Sequence, residues 1–437
     1  MDRWDILWHR VIQKTLPPVR DAAAVFKSEY DTTAYTLRGV GGRARDVDNQ
    51  GGLLIAGQSG IGPGISPRRN TGSRLQVVSA TPHHDLNTLL SKYAYTDDDG
   101  WTGGDSTYMR RLPDGRHVIM FSDTFLGSVR ADGSRARNTP FISNSFVVVG
   151  TDGRMETVLS RTPDDQRRAV MPPHDGQFYW LGGSHVTSRN TLDVMFLRFT
   201  GDSRVVDDGG DFDAARLQAA LTPGGNGELE LQENVLVRFD ARDLTRLDAT
   251  PMPSESGVHW ASWVEFDQRD NQTYVYGVMD HGLDKQMHIA RVSGDDLRQP
   301  WEFADGAGGW SPRETDSAPI MSGVANEYSV ARLNDEHFLL VTQDTSQPYS
   351  PDIMGYLSDS PTGPFTSPTL LYRTTESGPF GFYGDAETVV YNAHEQPDLR
   401  RGNEITLTYN LNSSVEGVLD ESAKYRPNAV KVRVDLT

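Results

Sequence analysis

From about residue 73 onward, apolar and polar residues alternate in short runs that stop at Gly, Asp, Asn or Pro. A period of two is the mark of half-buried β-strands. The first part of the chain reads differently. Trp4, Leu7, Val11 and Ile12 share one face of a helix over 4–16, which Pro17 and Pro18 end. Residues 36–75 are rich in Gly, Arg and Ser and read as loop with short strands. DAARLQAAL, 213–221, is the one later helix expected, in a long insertion. The chain divides into a helix-and-loop extension, 1–72, and a β domain, 73–437.

The strands group in fours. The sets are 105–110, 117–123, 144–150 and 155–160; then 178–186, 191–199, 229–239 and 245–249; then 259–266, 273–279, 286–293 and 301–304; then 327–333, 337–343, 352–358 and 369–373. A fifth set, 387–392, 404–410 and 427–436, is one strand short, while 73–81 has no partner of its own. The expected fold is all-β, a five-bladed β-propeller in which residues 73–81 close the last blade, which leaves no exposed sheet edge at the junction. The competing reading is a pair of β-sandwiches or an irregular all-β protein.

Topology then names candidates for a site. If the first strand of each blade lines a central channel and the second runs back beside it, the start of one and the end of the other share a face. That face collects Asp105 and Asp123 from the first set, and Trp180 from the second with Ser184 and His185 further along. The third gives His259, Trp260, Asp280 and His281, the fourth Glu327 and Asp344, and the fifth Glu387 beside Asp385, with Asn410 and Asn412. Facing carboxylates suit glycoside hydrolysis, where one protonated acid serves the leaving oxygen and one carboxylate acts as base or nucleophile. Crowding raises the pKa of one of them. Trp180, His259, Trp260 and His281 suit sugar rings, and Asp344, Asn144, Asn410 and Asn412 suit hydroxyls. Each has a plainer alternative: Asp105 and Asp123 as turn residues, the histidines and tryptophans as core.

Composition narrows the partners. The formal net charge of −18 over 437 residues argues against nucleic acid and anionic membranes. No run approaches the roughly 18 apolar residues of a membrane helix. The absence of cysteine excludes disulfides and thiolate chemistry. The N-terminal segment lacks a long apolar core, so no secretory signal is read and the compartment stays open. No cofactor is required; a channel cation such as calcium is compatible. TDDDG (96–100) and VVDDGGDFD (205–213) lack full calcium-loop spacing, GQSGIG (57–62) has no helix behind it, and His83–His84 lacks a third ligand.

WTGGDSTYMRRLPDGRHVIMFSDTFLG (101–127), NSFVVVG (144–150), SDSPTGPF (358–365), and YNLNS (409–413) with Tyr425 and Pro427 carry a resemblance. SDSPTGPF resembles a turn widespread in five-bladed glycosidases, and the other three resemble a family of five-bladed propellers, formerly a domain of unknown function, that includes endo-acting D-arabinanases. The resemblance covers about residues 100–437. It implies hydrolysis of a furanoside polymer, with Asp105 and Asp123 the best-matched acids. HEQPD (394–398) departs from the common HPE form and leaves His394 and Glu395 without an assigned role. The resulting expectation is a glycosidase acting on polysaccharide or oligosaccharide. Asp105 would be nucleophile or general base, Glu327 or Glu387 the acid, and Asp123 a tuning or binding group. The alternatives are a non-catalytic carbohydrate-binding propeller, or an exo-acting propeller glycosidase or sugar phosphorylase.

Overall fold

In the middle strands the alternation gives way to nearly continuous apolar runs. HVIMF, FLLVTQ and EITLTYNLN are buried along almost their whole length. A strand reads this way when both of its faces are covered, and here neighbouring sheets cover both. Outer strands such as Arg246–Met252 keep only partial burial.

The computed structural model describes residues 72–95, 100–161, 167–172, 177–200 and 230–437, all within one compact unit, Pro67–Thr437. The helices expected at 4–16 and 213–221, the stretch 57–62, most of TDDDG and the loop 205–213 lie outside the described residues.

The protein is nearly all β. The first sheet runs Tyr108–Arg111, His117–Phe121, Ser145–Val149, Met155–Val158. A small sheet, Trp101–Gly104, Thr124–Leu126 and Phe141–Ile142, continues its first strands. The second is Gln177–Val186, Thr191–Thr200, Glu230–Asp240, Arg246–Met252. The third begins His259–Asp267, Gln272–His281, Asp284–Ser293, Trp301–Ala304, and gains Trp310–Ser311 and Met321–Ser322. The fourth is Tyr328–Arg332, Phe338–Gln343, Asp352–Ser358, Thr366–Arg373. The fifth orders Val389–Glu395, Glu404–Asn412, Pro427–Leu436 and then Leu75–Pro82. Leu75 therefore pairs with Leu436 and Pro82 with Val430, as the unpartnered strand at 73–81 requires.

Contacts between sheets run through their first strands. That of the second sheet touches those of the first and third; the third touches the fourth, and the fourth the fifth. Between second and third sheets the backbones meet at Gly182–Gly183, where a Cβ on Gly182 would lie 2.0 Å from the Ala261 carbonyl oxygen. Fifth and first sheets are hydrogen-bonded: the Met109 amide donates to Gln396 Oε1 at 3.0 Å, and Gln396 Nε2 to the Thr107 carbonyl at 2.7 Å.

Two helices break the β pattern where the sequence reading places none. His84–Ala94 buries Leu86, Leu90, Tyr93 and Ala94, a helical spacing, against Trp101, Ile119 and Ala429. Its N-cap is His83, whose Nδ1 accepts the Leu86 amide at 3.3 Å, a plainer job than metal binding. Val415–Asp420 buries Val415, Val418 and Leu419 beside Phe125 and Tyr425.

Candidate active site

The first inner strand is interrupted between Gly104 and Tyr108, and the interruption builds the site. Ser106 and Thr107 adopt left-handed backbone conformations, φ 65° and 61°. Such geometry costs roughly 1 kcal/mol or more per non-glycine residue and persists only where the surroundings fix it. The fifth sheet does the fixing. Asn410 Nδ2 donates to Thr107 Oγ1 at 2.9 Å and to the Gly104 carbonyl at 3.2 Å. Gln396 Nε2 and His394 Nε2, the latter at 3.1 Å, both donate to the Thr107 carbonyl. Gly103 makes the close approach possible, since a Cβ there would sit 2.1 Å from the Tyr425 carbonyl oxygen.

The result is a cavity of about 590 Å³ with Asp105 and Ser106 in its wall. Each of the five main sheets contributes from its first strand or the residues leading into it: Asp105, Trp180, His259, Glu327 and Tyr391. Asp280, Lys285 and Asp344 also line it, with Leu197 and Phe199 giving an apolar side.

Three carboxyl groups converge without a lysine or arginine in ion-pair contact among the described residues. Asp105 Oδ2 accepts Tyr391 Oη–H at 2.8 Å and Tyr425 Oη–H at 3.2 Å, while its buried Oδ1 has no hydrogen-bond partner. Burial pushes this carboxyl up to about 6, against the lowering effect of the two phenols. Glu327 Oε1 accepts Ser106 Oγ–H at 2.7 Å; Oε2 is unpartnered, 3.8 Å from His394 Nδ1. Burial, then the charge of Asp105, raises Glu327 well above the carboxylate range. Burial likewise lowers His394 to about 4, so its ring is neutral at pH 7. Asp123 is buried outside the cavity lining and joined to it through Trp180, whose Nε1 donates to Asp123 Oδ1 at 2.9 Å. Burial and then Asp105 raise it as well. Burial and the neighbouring carboxyl thus favour the protonated form of Glu327, which faces the same space as Asp105.

Other expected site residues fall elsewhere. Glu387 is exposed and outside the cavity, its amide held by Asp385 Oδ1 in a turn. The fifth inner strand starts only at Val389, and Tyr391 occupies the position expected for an acid. Trp260 is fully buried and points away from His259, as successive strand residues must. Its Nε1 donates to Glu314 Oε1 at 2.9 Å. His281 is exposed at a strand end and does not line the cavity. Asn144 pins the first sheet to the second, donating to the Met171 and Tyr179 carbonyls. Asn410 holds the strained turn, and Asn412 Oδ1 accepts the Ser413 amide at 2.8 Å; neither lines the cavity. Asp344 does, and accepts Ser346 Oγ–H at 2.6 Å. Among the described residues no group of three or more His, Asp or Glu side chains could hold a metal ion.

Ser106, Tyr391 and His394, with Lys285, Leu197 and Phe199, are groups that the sequence reading did not assign to the site. Ser106 adjoins Asp105, and His394 sits in the HEQPD stretch, where local sequence gives no hint of Glu327.

Fold and cavity together define a nearly all-β protein whose cavity, with acids in its wall, is assembled from all five main sheets. The chain belongs to the family described as a domain of unknown function (DUF5005), whose model matches residues 87–434. No curated protein matches it. Among solved structures it is similar to a candidate hydrolase from Bacteroides ovatus ATCC 8483, with 18% identity and a TM-score of 0.64 over 85% of this chain and 95% of that one. This is a likeness of fold. Weaker matches include the α-L-arabinofuranosidase from Podospora anserina in complex with cellotriose, at 10% identity and TM-score 0.41 over 77% and 93% of the two chains. The catalytic domain of a GH62 α-L-arabinofuranosidase from Coprinopsis cinerea gives 13% and 0.42, over 76% and 91%.

Proposed function

We propose that the protein is a glycoside hydrolase on a five-bladed β-propeller, the five main sheets being the blades and Leu75–Pro82 the closing strand. One observation carries the activity: Asp105 and Glu327 line one cavity, both half-buried, neither paired with a lysine or arginine among the described residues, and held by different partners. Glu327 gives its proton to the leaving glycosidic oxygen. Asp105 either takes a proton from the attacking water or attacks the anomeric carbon, and water then releases the sugar. Asp123 raises the electrostatic stakes for Asp105 from behind Trp180. Trp180, Phe199 and His259 face the sugar, and Asp280, Lys285 and Asp344 reach its hydroxyls.

The substrate class rests on the resemblance at residues 101–127 and 409–427, which favours D-arabinofuranosyl linkages in a polysaccharide. Product analysis after incubation with mycobacterial arabinogalactan, plant L-arabinan and a fructan tests this. Oligosaccharide release from arabinogalactan alone is the expected result. Binding without release from any of the three would leave a carbohydrate-binding propeller instead, and single-sugar release would show exo action.

A further inference from the structure

We propose that Tyr391 and Tyr425 are positioning residues that clamp one oxygen of Asp105 so that the other is the reacting atom. The proposal rests on the reading of Asp105 as the site's base or nucleophile. Two phenols donate to the same atom, Oδ2, at 2.8 and 3.2 Å, and none to Oδ1. A carboxylate with both donors on one oxygen cannot spin freely about its last bond, and its unshared lone pairs gather on the other oxygen. Positioned groups of this kind act by removing the search for orientation.

Both clamps are themselves rigid. Tyr425 is fully buried, edge-on to Phe125 with ring centroids 5.2 Å apart, and its carbonyl oxygen crowds Gly103. Tyr391 lies on the fifth inner strand beside Asn392, which has a left-handed backbone, φ 54°. Burial and the nearby Asp105 charge raise both phenols well above their ordinary value, so each remains a donor at any working pH. Neither residue is an alternative acid, and neither is close in sequence to Asp105. Satisfying two buried hydroxyls is the competing explanation. That role would be met by any acceptor and would leave kcat on the cleaved polymer unaffected.

The variants Tyr391→Phe, Tyr425→Phe and the double variant keep the ring volume and remove only the donors. Each single change should raise the acid-limb pKa of kcat/KM on the polymer the wild type cleaves, the double change more than either. Loss of one charge-assisted bond should lower kcat about tenfold to a hundredfold, with KM within about twofold. Titration of aspartate-labelled protein by carboxyl ¹³C NMR gives a reading that needs no substrate. The Asp105 signal, assigned by its absence in Asp105→Asn, should titrate at higher pH in the phenylalanine variants. Folded variants whose Asp105 titration and acid limb match the wild type would overturn the proposal. If the double variant does not fold, the two single variants decide. A wild type that cleaves no glycan would sink the enzymatic reading, while the NMR shift would still decide whether the tyrosines hold Asp105.

Discussion

Buried acids occur in two kinds of place in this protein, and their partners differ. In the scaffold, Asp193 is gripped by Arg238 at 2.7 and 2.5 Å, with Asp296 on the same guanidinium. Glu395, fully buried, takes two bonds of 2.7 Å from Arg400. Glu314 accepts from Ser256, Trp260 and the Glu255 amide. Around the cavity, buried Asp123 and half-buried Asp105 and Glu327 accept side-chain bonds from hydroxyl or indole groups rather than from cations, and Asp105 and Glu327 each keep an oxygen with no partner. A fold that needs a buried acid for its own stability gives it a cation or a full set of donors. Acids left short of both are the ones that the proposed chemistry uses. Glu265 marks the boundary: burial pushes it up to about 7 although Arg110 and Arg400 stand nearby, and it lies outside the cavity. A raised pKa therefore does not single out a site unless an open space and missing cations accompany it.

The sharpest way to break this contrast is to neutralise acids of each kind. Asp105→Asn and Glu327→Gln should each lower kcat/KM by roughly 10²–10⁴-fold while leaving the thermal midpoint unchanged or higher. A midpoint that fell with activity would make these acids structural. In the scaffold, Glu395→Gln leaves Arg400 without its counter-charge, and urea unfolding should show a loss of about 3–5 kcal/mol.

A pH series separates the two kinds further. The folded carboxyl of Asp105, at about 6, lies above its unfolded value, so the native state binds the extra proton. Its contribution is full below the unfolded pKa, near 4, and disappears as pH rises through about 6. Two units correspond to at most about 3 kcal/mol. The difference in thermal midpoint between Asp105→Asn and wild type should widen in the variant's favour from pH 4 to 7; a difference independent of pH would deny the shift. The smallest effect belongs to the surface. Arg137→Ala breaks a solvent-exposed pair with Glu416, and scanning calorimetry should find no measurable change.

Strand pattern and turn residues made the sheets legible in the sequence, including the pairing of the segment near 73–81 with the last strand. Four of the five positions expected to open the cavity wall do so: Asp105, Trp180, His259 and Glu327. The fifth failed on register. The inner strand begins after Glu387, and a shift of a few residues exchanges an acid for Tyr391. Trp260 failed for the related reason that adjacent strand residues face opposite ways. The partners of the acids were hidden by distance along the chain, since Tyr391 and Tyr425 bond to Asp105 across 286 and 320 residues. Local periodicity carries no information on such a meeting. The helix His84–Ala94 was readable from the spacing of Leu86, Leu90, Tyr93 and Ala94, but short apolar runs beside strands favour the wrong period.

That separation also orders events as the chain folds. Asp105 and its strained neighbours leave the ribosome before Gln396, Asn410 and Tyr425, which hold them and follow some three hundred residues later. Until the late segment docks, the left-handed turn at Ser106 and Thr107 lacks its bonds from His394, Gln396 and Asn410. Loop closure over some three hundred residues makes this docking slow compared with the pairing of strands within one sheet. The acid is thus shaped last, and recovery of activity after dilution from denaturant should trail the recovery of β-sheet circular dichroism.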